Sequence, residues 1–324
     1  MRLARFFGIS IMVLGLILSV VGESPAAAKK FPTRPIQVII TFAPGATDLL
    51  MRPFIEKMPE YLGQPVTFVY KPGAGGSFGA AFVADSKPDG YTLVGSSPSA
   101  ILVLPVTQKD LRYTLQSFSP ICCLCADALV FAVQSNAPWK TLKELVEDAK
   151  KSPGQISYSS SGTFAIPHLG FEAFSREAGI KLNYIPSQGG GPAVTALLGG
   201  HVQVYSGPIA PPLPHITAGT LRALAVSGTK RIKALPDVPT LTELGYPIKI
   251  SVGYGLLAPK GTPKEVIETI YQAAKKVVGN HEASITERLD MLGAWIDFEG
   301  PEEYTAQLSK QNEMFSRILK IVGH

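Results

Sequence analysis

Two short loops of small and polar residues are the best candidates for chemistry in this chain of 324 residues. The first reads Pro44-Gly-Ala-Thr-Asp48, and the second reads Ser159-Ser-Ser-Gly-Thr163. Each loop follows a strand-like run and precedes a helix-like run. The first turn of a helix has backbone N–H groups without intrahelical partners, and these groups can bind an anion. The sequence therefore predicts that the two loops form two halves of a carboxylate-binding site.

Three charged or titratable side chains near these loops each have two interpretations. Asp48 can cap the helix that follows it, which we favour, or it can bind a donor group on a ligand. Arg52 lies four residues later, and we expect it to pair with Asp48 rather than with a ligand. His168 opens the helix after the second loop, where packing is a more common role for histidine than ligand binding.

Enzymatic alternatives depend on the glycine-rich segment Gly75-Gly-Ser-Phe-Gly79. It matches the G-x-S-x-G pattern of α/β-hydrolases and makes Ser77 the nucleophile of an alternative, esterase-like function. A triad also needs a base and an orienting acid, and no later histidine is clearly placed for that role. The match to a dinucleotide-binding fingerprint is weak, because the glycine spacing is too long and the acidic residue is missing. We therefore predict a protein that is not an enzyme and binds no cofactor.

Composition points to a globular protein with a large core. The chain is 46% hydrophobic and 17% charged, with a net charge of +5, and it has no long basic block. We therefore expect no nucleic-acid partner. We also expect a monomer. The cysteines Cys122, Cys123 and Cys125 lie in one apolar run, which favours a buried strand over a disulfide or a metal site.

The first 28 residues have the pattern of a cleavable secretory signal peptide. Arg2 and Arg5 precede an uncharged apolar run from Phe6 to Val21, and Ala26-Ala-Ala28 supplies small residues for cleavage. An uncleaved membrane anchor is the weaker alternative, because the apolar run is shorter than the about 18 residues of a spanning helix. We expect the protein to be exported to the periplasm.

Strand-like and helix-like segments alternate along the rest of the chain. Ile36–Phe42 reads as a strand buried on both faces, and Leu49–Leu62 reads as a helix interrupted by Pro53 and Pro59. The later part repeats the sequence of strand, small-residue loop and helix, with helices expected at Leu142–Lys150 and from His168 to Ala178. This alternation predicts an α/β fold with doubly wound sheets and loops at the carboxyl ends of the strands.

Seven segments along the chain resemble a known family. In order they are FPTRPIQVIITFAPGATD, YLGQPVTFVYKPGAGGSFGA, KPDGYTLVGSS, TLKELVEDAKKSPGQISYSSSG, PAVTALLGGHVQ, GTLRALAVSGTKRIKALPDVPTLTELGYP and GLLAPKGTP. Together they are similar to the solute-binding proteins of tripartite tricarboxylate transporters, the Bug or TctC-like family.

The resemblance implies a periplasmic binding protein fold of type II, with two doubly wound α/β lobes and a ligand cleft between them. It places lobe 1 at residues 29–127 plus 253–324 and lobe 2 at residues 128–252. It also implies that backbone amides of the two loops hold a carboxylate group, and that the partner is a membrane permease of the same transporter type.

The sequence departs from the family pattern at the two loops and at one later position. The first loop is one residue shorter and lacks a glycine, Phe164 and Ala165 replace a glycine and a serine, and Gln203 stands where an aspartate is usual. These changes make the pocket less polar and favour an apolar or aromatic ligand. The predicted ligand-binding residues are Phe42, Ala46, Thr47, Asp48, Ser97, Ser160, Ser161, Gly162, Thr163, Phe164, His168, Gly190, Gly191 and Gln203.

The sequence thus predicts an extracytoplasmic receptor that captures a small organic carboxylate for a permease. Besides the esterase-like enzyme, one further alternative is a binding protein that serves a sensor partner.

Overall fold

The computed structural model describes residues 30–108, 110–228 and 230–322. The predicted signal peptide lies outside the described residues. The strands are β1 (Ile36–Ile40), β2 (Val66–Tyr70), β3 (Thr92–Ser96), β4 (Phe118–Gln134), β5 (Ser157–Ser159), β6 (Asn183–Ile185), β7 (Val204–Pro208), β8 (Leu221–Val226), β9 (Ser251–Pro259) and β10 (Ala294–Glu299).

The α-helices lie between and after these strands, and short 3-10 turns cover residues 74–76 and 115–117. The helices are α1 (Ala46–Ile55), α2 (Pro59–Leu62), α3 (Ser77–Ala84), α4 (Ser99–Leu102), α5 (Leu104–Thr107), α6 (Leu142–Lys151), α7 (Ile166–Ala178), α8 (Gly190–Leu198), α9 (Leu213–Thr217), α10 (Lys264–Asp290) and α11 (Pro301–Val322).

The strands form one long curled sheet in the order β2-β1-β3-β9-β4-β7-β5-β6, with β8 and β10 also paired to β4. Strand β1 is parallel to β2 and β3, and β5 is parallel to β6 and β7. These two parallel groups are the halves of a doubly wound α/β fold, as the sequence predicts. We call the part around β1 the first half-sheet and the part around β5 the second half-sheet.

Strand β4 joins the two half-sheets. Its 17 residues pair with β9 from Phe118 to Ala128, and with β7 and β8 from Leu129 onward. The chain returns to the first half-sheet through β9, which begins at Ser251. The segment from Ala128 to Val133 is therefore the end of one longer strand. The three cysteines lie in its buried first part, each with 0% exposure.

Helix boundaries differ from the predictions where turn residues were misread. Helix α1 begins at Ala46 rather than Leu49, because Gly45 is its N-cap and Asp48 lies in its first turn. Pro53 is inside α1, whereas Pro59 opens the separate helix α2 at a position that favours proline. Helix α10 has a kink at His281, where the backbone angles are not helical.

Candidate functional site

The carboxyl ends of parallel strands from both half-sheets face one small cavity. The chain leaves β1, β3, β5 and β6 there and enters helices, because small residues at these strand ends permit tight turns. The cavity has a volume of about 20 Å³, which is room for about one water molecule. Its lining residues are Phe42, Ala43, Ala46, Thr47, Ser97, Ser99, Ser161, Ala165, Pro167, Gly190, Pro208, Val252 and Tyr254.

Three helices of nine or more residues begin at this cavity. Ala46 and Thr47 open α1, Ala165 precedes the first residue of α7, and Gly190 opens α8. The N-terminus of each helix carries a partial positive charge and N–H groups without intrahelical partners. Since the three ends converge, the field inside the cavity favours a negatively charged group.

The loops of the two half-sheets touch across the cavity. The backbone N–H of Ala43 donates to the carbonyl of Gln188 at 3.0 Å, and the backbone N–H of Ile166 donates to Ser99 Oγ at 3.1 Å. A methyl group at Gly191 would lie 2.3 Å from the carbonyl oxygen of Pro44. Such contacts leave no gap between the loops, so the structure is a closed form.

The second loop contains two buried serine hydroxyls that could still form hydrogen bonds. Ser160 and Ser161 are 0% and 8% exposed, and neither hydroxyl has a hydrogen-bond partner among the residues that the structure describes. Buried polar groups are normally hydrogen-bonded. Ser161 lines the cavity, so its hydroxyl can donate to a ligand oxygen there.

The Asp48 carboxylate forms hydrogen bonds within the protein and does not point a free oxygen at a ligand. Its Oδ1 accepts from the backbone N–H of Gly45 at 2.7 Å. Its Oδ2 accepts from the hydroxyl of Tyr70 at 3.0 Å and from Arg52 at 3.4 Å. The predicted pair with Arg52 is therefore confirmed, although Asp48 lies in the first turn of α1 and is not the N-cap.

Phe164 and His168 lie beside the cavity wall, not on it. Phe164 has a positive φ of 60°, and its backbone N–H donates to His168 Nδ1 at 3.1 Å. The His168 ring packs on Tyr184 with centroids 4.1 Å apart. Thr163 lies in the same loop, where its carbonyl would be 2.9 Å from a methyl group at Gly75. The approach of Thr163 to Gly75 places the second loop against the first half-sheet.

The remaining predicted residues divide between the cavity and its surroundings. Phe42, Ala46, Thr47, Ser97, Ser161 and Gly190 line it. Gly162 lies in the second loop and Gly191 in the first turn of α8, and a methyl group on either would come within 4 Å of Gly75 or Pro44 respectively. Gln203 is exposed elsewhere and accepts from the backbone N–H of Ser157 at 2.9 Å.

Sequence reasoning missed the part of the wall that comes from β9. Val252 and Tyr254 line the cavity, and the Tyr254 hydroxyl donates to Asp127 Oδ1 at 3.2 Å. Burial raises the pKa of the Asp127 carboxyl well above its ordinary value of 3.8, although Tyr254 and the backbone N–H groups of Ile209 and Ala210 lower it. The signal in the sequence was a lone carboxylate inside a long apolar run.

Comparison with known proteins identifies the family. Residues 50–297 match the model of the tripartite tricarboxylate transporter family receptor. The chain belongs to this family. A solved structure of the periplasmic binding protein BugD is 31% identical, with a TM-score of 0.85 over 90% of this chain and 99% of that one.

Two further structures of similar fold contain small dicarboxylates. The MatC protein of Rhodopseudomonas palustris with bound malate is 27% identical, with a TM-score of 0.82 over 90% of this chain and 100% of that one. Another R. palustris protein, with adipate, is 25% identical, with a TM-score of 0.84 over 90% of this chain and 98% of that one. The predicted periplasmic binding protein fold is therefore confirmed.

As a tricarboxylate transporter receptor, the chain is a solute-binding protein of the periplasmic type. None of its described helices is both long enough and apolar enough to cross a membrane. Ser77 has ordinary helical angles, with φ −64° and ψ −31°, and it is 2% exposed. A nucleophile elbow instead holds its serine on a strained and open turn, so this geometry argues against the esterase-like alternative.

Proposed function

We propose that this receptor captures a small organic carboxylate with an apolar body in the cavity between its half-sheets. The observation that carries the proposal is the convergence of the N-termini of α1, α7 and α8 on a cavity that also contains the Ser161 hydroxyl. Backbone N–H groups and a hydroxyl are the donors that a carboxylate requires. The structures of relatives with malate and adipate support the same class of ligand.

The rest of the wall favours an apolar ligand body. Phe42, Val252 and Tyr254 supply apolar surface, together with the rings of Pro167 and Pro208. Asp48, which could have accepted from a hydroxyl or an amine, already accepts three hydrogen bonds inside the protein. A plain aliphatic or aromatic acid therefore suits the site better than a hydroxy acid or an amino acid.

Ligand entry requires the two half-sheets to separate. A cavity of about 20 Å³ is smaller than any organic acid, so binding must begin from a more open form. The natural hinge is the crossing at Ala128 on β4 and Ser251 on β9. Lobe 1 at residues 29–127 plus 253–324 would then close around the ligand against lobe 2 at residues 128–252, less fully than in this closed form, and the ligand-bound protein would dock on a membrane permease.

A thermal denaturation panel tests this function. Protein refolded from denaturant, and so free of retained ligand, is mixed with adipate, malate or benzoate. A ligand at 100 times its dissociation constant should stabilise the protein by about 2.7 kcal/mol. We expect adipate or benzoate to give a larger shift than malate. No shift with any carboxylate would refute the proposal.

Two serine variants localise the binding site. Ser161→Ala removes a hydroxyl from the cavity and should weaken binding of the best carboxylate by roughly fivefold, the equivalent of about 1 kcal/mol. Ser175→Ala is the matched control, because its hydroxyl is also buried and without a partner in the described chain but lies further along α7. Equal effects of the two variants would argue against this cavity.

A further inference from the structure

A second and much larger cavity lies beside the β4–β9 crossing. The loop after β8 and the turn between α10 and β10 form most of its wall. Its volume is about 410 Å³, within the range of small-molecule sites. It is lined by Ala128, Ser227, Gly228, Lys230, Arg231, Ile232, Lys233, Lys249, Ile250, Ser251, Asp290, Gly293, Ala294 and Trp295.

The charge of this cavity is strongly positive. Four of its lining residues are cationic and one, Asp290, is anionic. Lys233 pairs with Asp290 at 2.7 Å, and Arg231 pairs with Glu243 at 3.1 Å. Lys230 and Lys249 form no ion pair with any residue in the described ranges. Two ammonium groups are therefore available to an anion without breaking an existing pair.

One wall of the same cavity is apolar and flat. Trp295 is 42% exposed, which is unusual for the largest apolar side chain. Ile232 and Ile250 are buried beneath the cavity surface. An indole ring that lines the same cavity as two ammonium groups suits a ligand that combines a negative charge with a flat apolar group.

We propose that this cavity is a second binding site, for a small organic anion that carries a flat apolar group. Lys230 and Lys249 bind the charged end, and Trp295 contacts the apolar end. Ala128 and Ser251 belong to both the cavity wall and the strand crossing. A ligand in this cavity contacts both the loop after β8 and the start of β10. The same two regions are already joined by the ion pair between Lys233 and Asp290.

Fluorine NMR tests this second site directly. The chain contains two tryptophans, so protein labelled with 5-fluorotryptophan carries one reporter in the cavity, at Trp295. The other, Trp139, is an internal control, because it is buried in another part of the protein beside Asp148. Trp139→Phe assigns the two signals. Naphthalene-2-sulfonate is the probe. We expect a saturable shift of the Trp295 signal and none of the Trp139 signal.

Charge variants show whether the lysines bind the probe. Lys230→Glu with Lys249→Glu should weaken binding at least about tenfold. Lys140→Glu with Lys143→Glu makes the same change in net charge on the exposed start of α6 and should leave binding unchanged. An equal loss of probe affinity in both double variants would show that only net charge matters, and it would overturn the proposal.

Two more outcomes separate this site from the carboxylate cavity. The Trp295 shift should persist in Gly191→Ala, in which closure of the first cavity is obstructed, and inorganic sulfate should produce a much smaller shift than the probe. A Trp295 signal that never moves, or that loses its response in Gly191→Ala, would overturn the second site. An equal response to sulfate would overturn the requirement for a flat apolar group.

Discussion

At the scale of single residues, Asp48 shows how a residue predicted to bind a ligand can instead stabilise the protein. It lies beside the cavity, yet Gly45, Arg52 and Tyr70 all donate to its carboxylate. The bond to Gly45 fixes the first turn of α1, whose free N–H groups face the cavity. Asp48 therefore holds in place the helix start at the proposed binding site.

Replacing Asp48 should cost stability. Asp48→Ala removes the bond to the Gly45 N–H and leaves Tyr70 without its acceptor, so we expect a loss of about 1–2 kcal/mol in the free energy of unfolding. Arg52 is 41% exposed on its side chain, so Arg52→Ala should cost less than about 0.5 kcal/mol. Urea denaturation measures both values, and a loss in Asp48→Ala no larger than that in Arg52→Ala would contradict this account.

Asp127 should make the stability depend on pH. Burial raises its pKa in the folded protein above the ordinary value of 3.8. Above the ordinary value the unfolded chain loses the proton while the folded chain keeps it, so the folded protein binds more protons and its stability falls as pH rises. This decline begins near pH 3.8 and continues to the raised pKa.

Asp127→Asn removes this titration and keeps an oxygen that accepts from Tyr254. We expect the variant to gain stability relative to the parent between about pH 4 and about pH 7, measured by urea denaturation at both values. Tyr254→Phe, which retains Asp127, should preserve the decline with pH. A difference between Asp127→Asn and the parent that does not change with pH would refute the assignment.

At the scale of elements, the start of α8 must approach the first loop closely. Gly191 lies so near Pro44 that a methyl group would be 2.3 Å from the Pro44 oxygen. Real side chains do not reach that distance, so the closed form requires glycine here. The glycine is needed for the approach of two elements and not for a left-handed turn.

Gly191→Ala should therefore impair closure. Forcing extra volume into such a contact costs about 1–3 kcal/mol. Because this closed form has no room for an organic acid, it competes with ligand binding, and we expect the affinity for the best carboxylate of the thermal panel to rise about tenfold. Gly279→Ala is the matched control, since a methyl group there meets nothing within 4 Å. It lies inside α10 and should add about 0.5–1 kcal/mol of stability without changing affinity. Isothermal titration calorimetry measures the affinities, and unchanged binding by Gly191→Ala would contradict the model of closure.

At the scale of the whole molecule, the proposed function requires movement between the half-sheets. The closed form brings Ala43 and Gly189 together, and a Cβ at Gly189 would lie 3.5 Å from the Cβ of Ala43. That separation is within the range of a disulfide, about 3.5–4.5 Å. The three native cysteines are fully buried in β4, so they should not compete for the new bond.

A tether at this position should lock the site. We expect ligand-free protein with Ala43→Cys and Gly189→Cys to lose carboxylate binding when oxidised, because the closed cavity admits no organic acid. Reduction should restore binding in the same sample, which serves as its own control. Calorimetry before and after reduction measures the change, and undiminished binding by the oxidised protein would show that entry needs no separation of the half-sheets.

Much of this protein could be predicted because its signals are local. The alternation of apolar runs and small-residue loops predicts the α/β fold, and the two loops identify two helix starts at the cavity. Local signals were less reliable at turns, where α1 began three residues earlier than expected because Gly45 and Asp48 cap it together. Gln203 was placed in the site by comparison with a family pattern, although its side chain bonds to Ser157 elsewhere.

By itself, the sequence determined the fold class, the family and the loops whose backbone N–H groups face the cavity. The fold class and the loops follow from residues that are close in the chain, since hydrophobic period and helix starts are local properties. The family follows from the resemblance of seven segments along the chain. Only the tertiary structure decided that Tyr254 joins the wall, that Asp48 is already hydrogen-bonded, and that Lys230, Lys249 and Trp295 share a second cavity. Those facts depend on which distant segments the curled sheet brings together, and sheet pairing over such separations leaves no periodic signal in the chain.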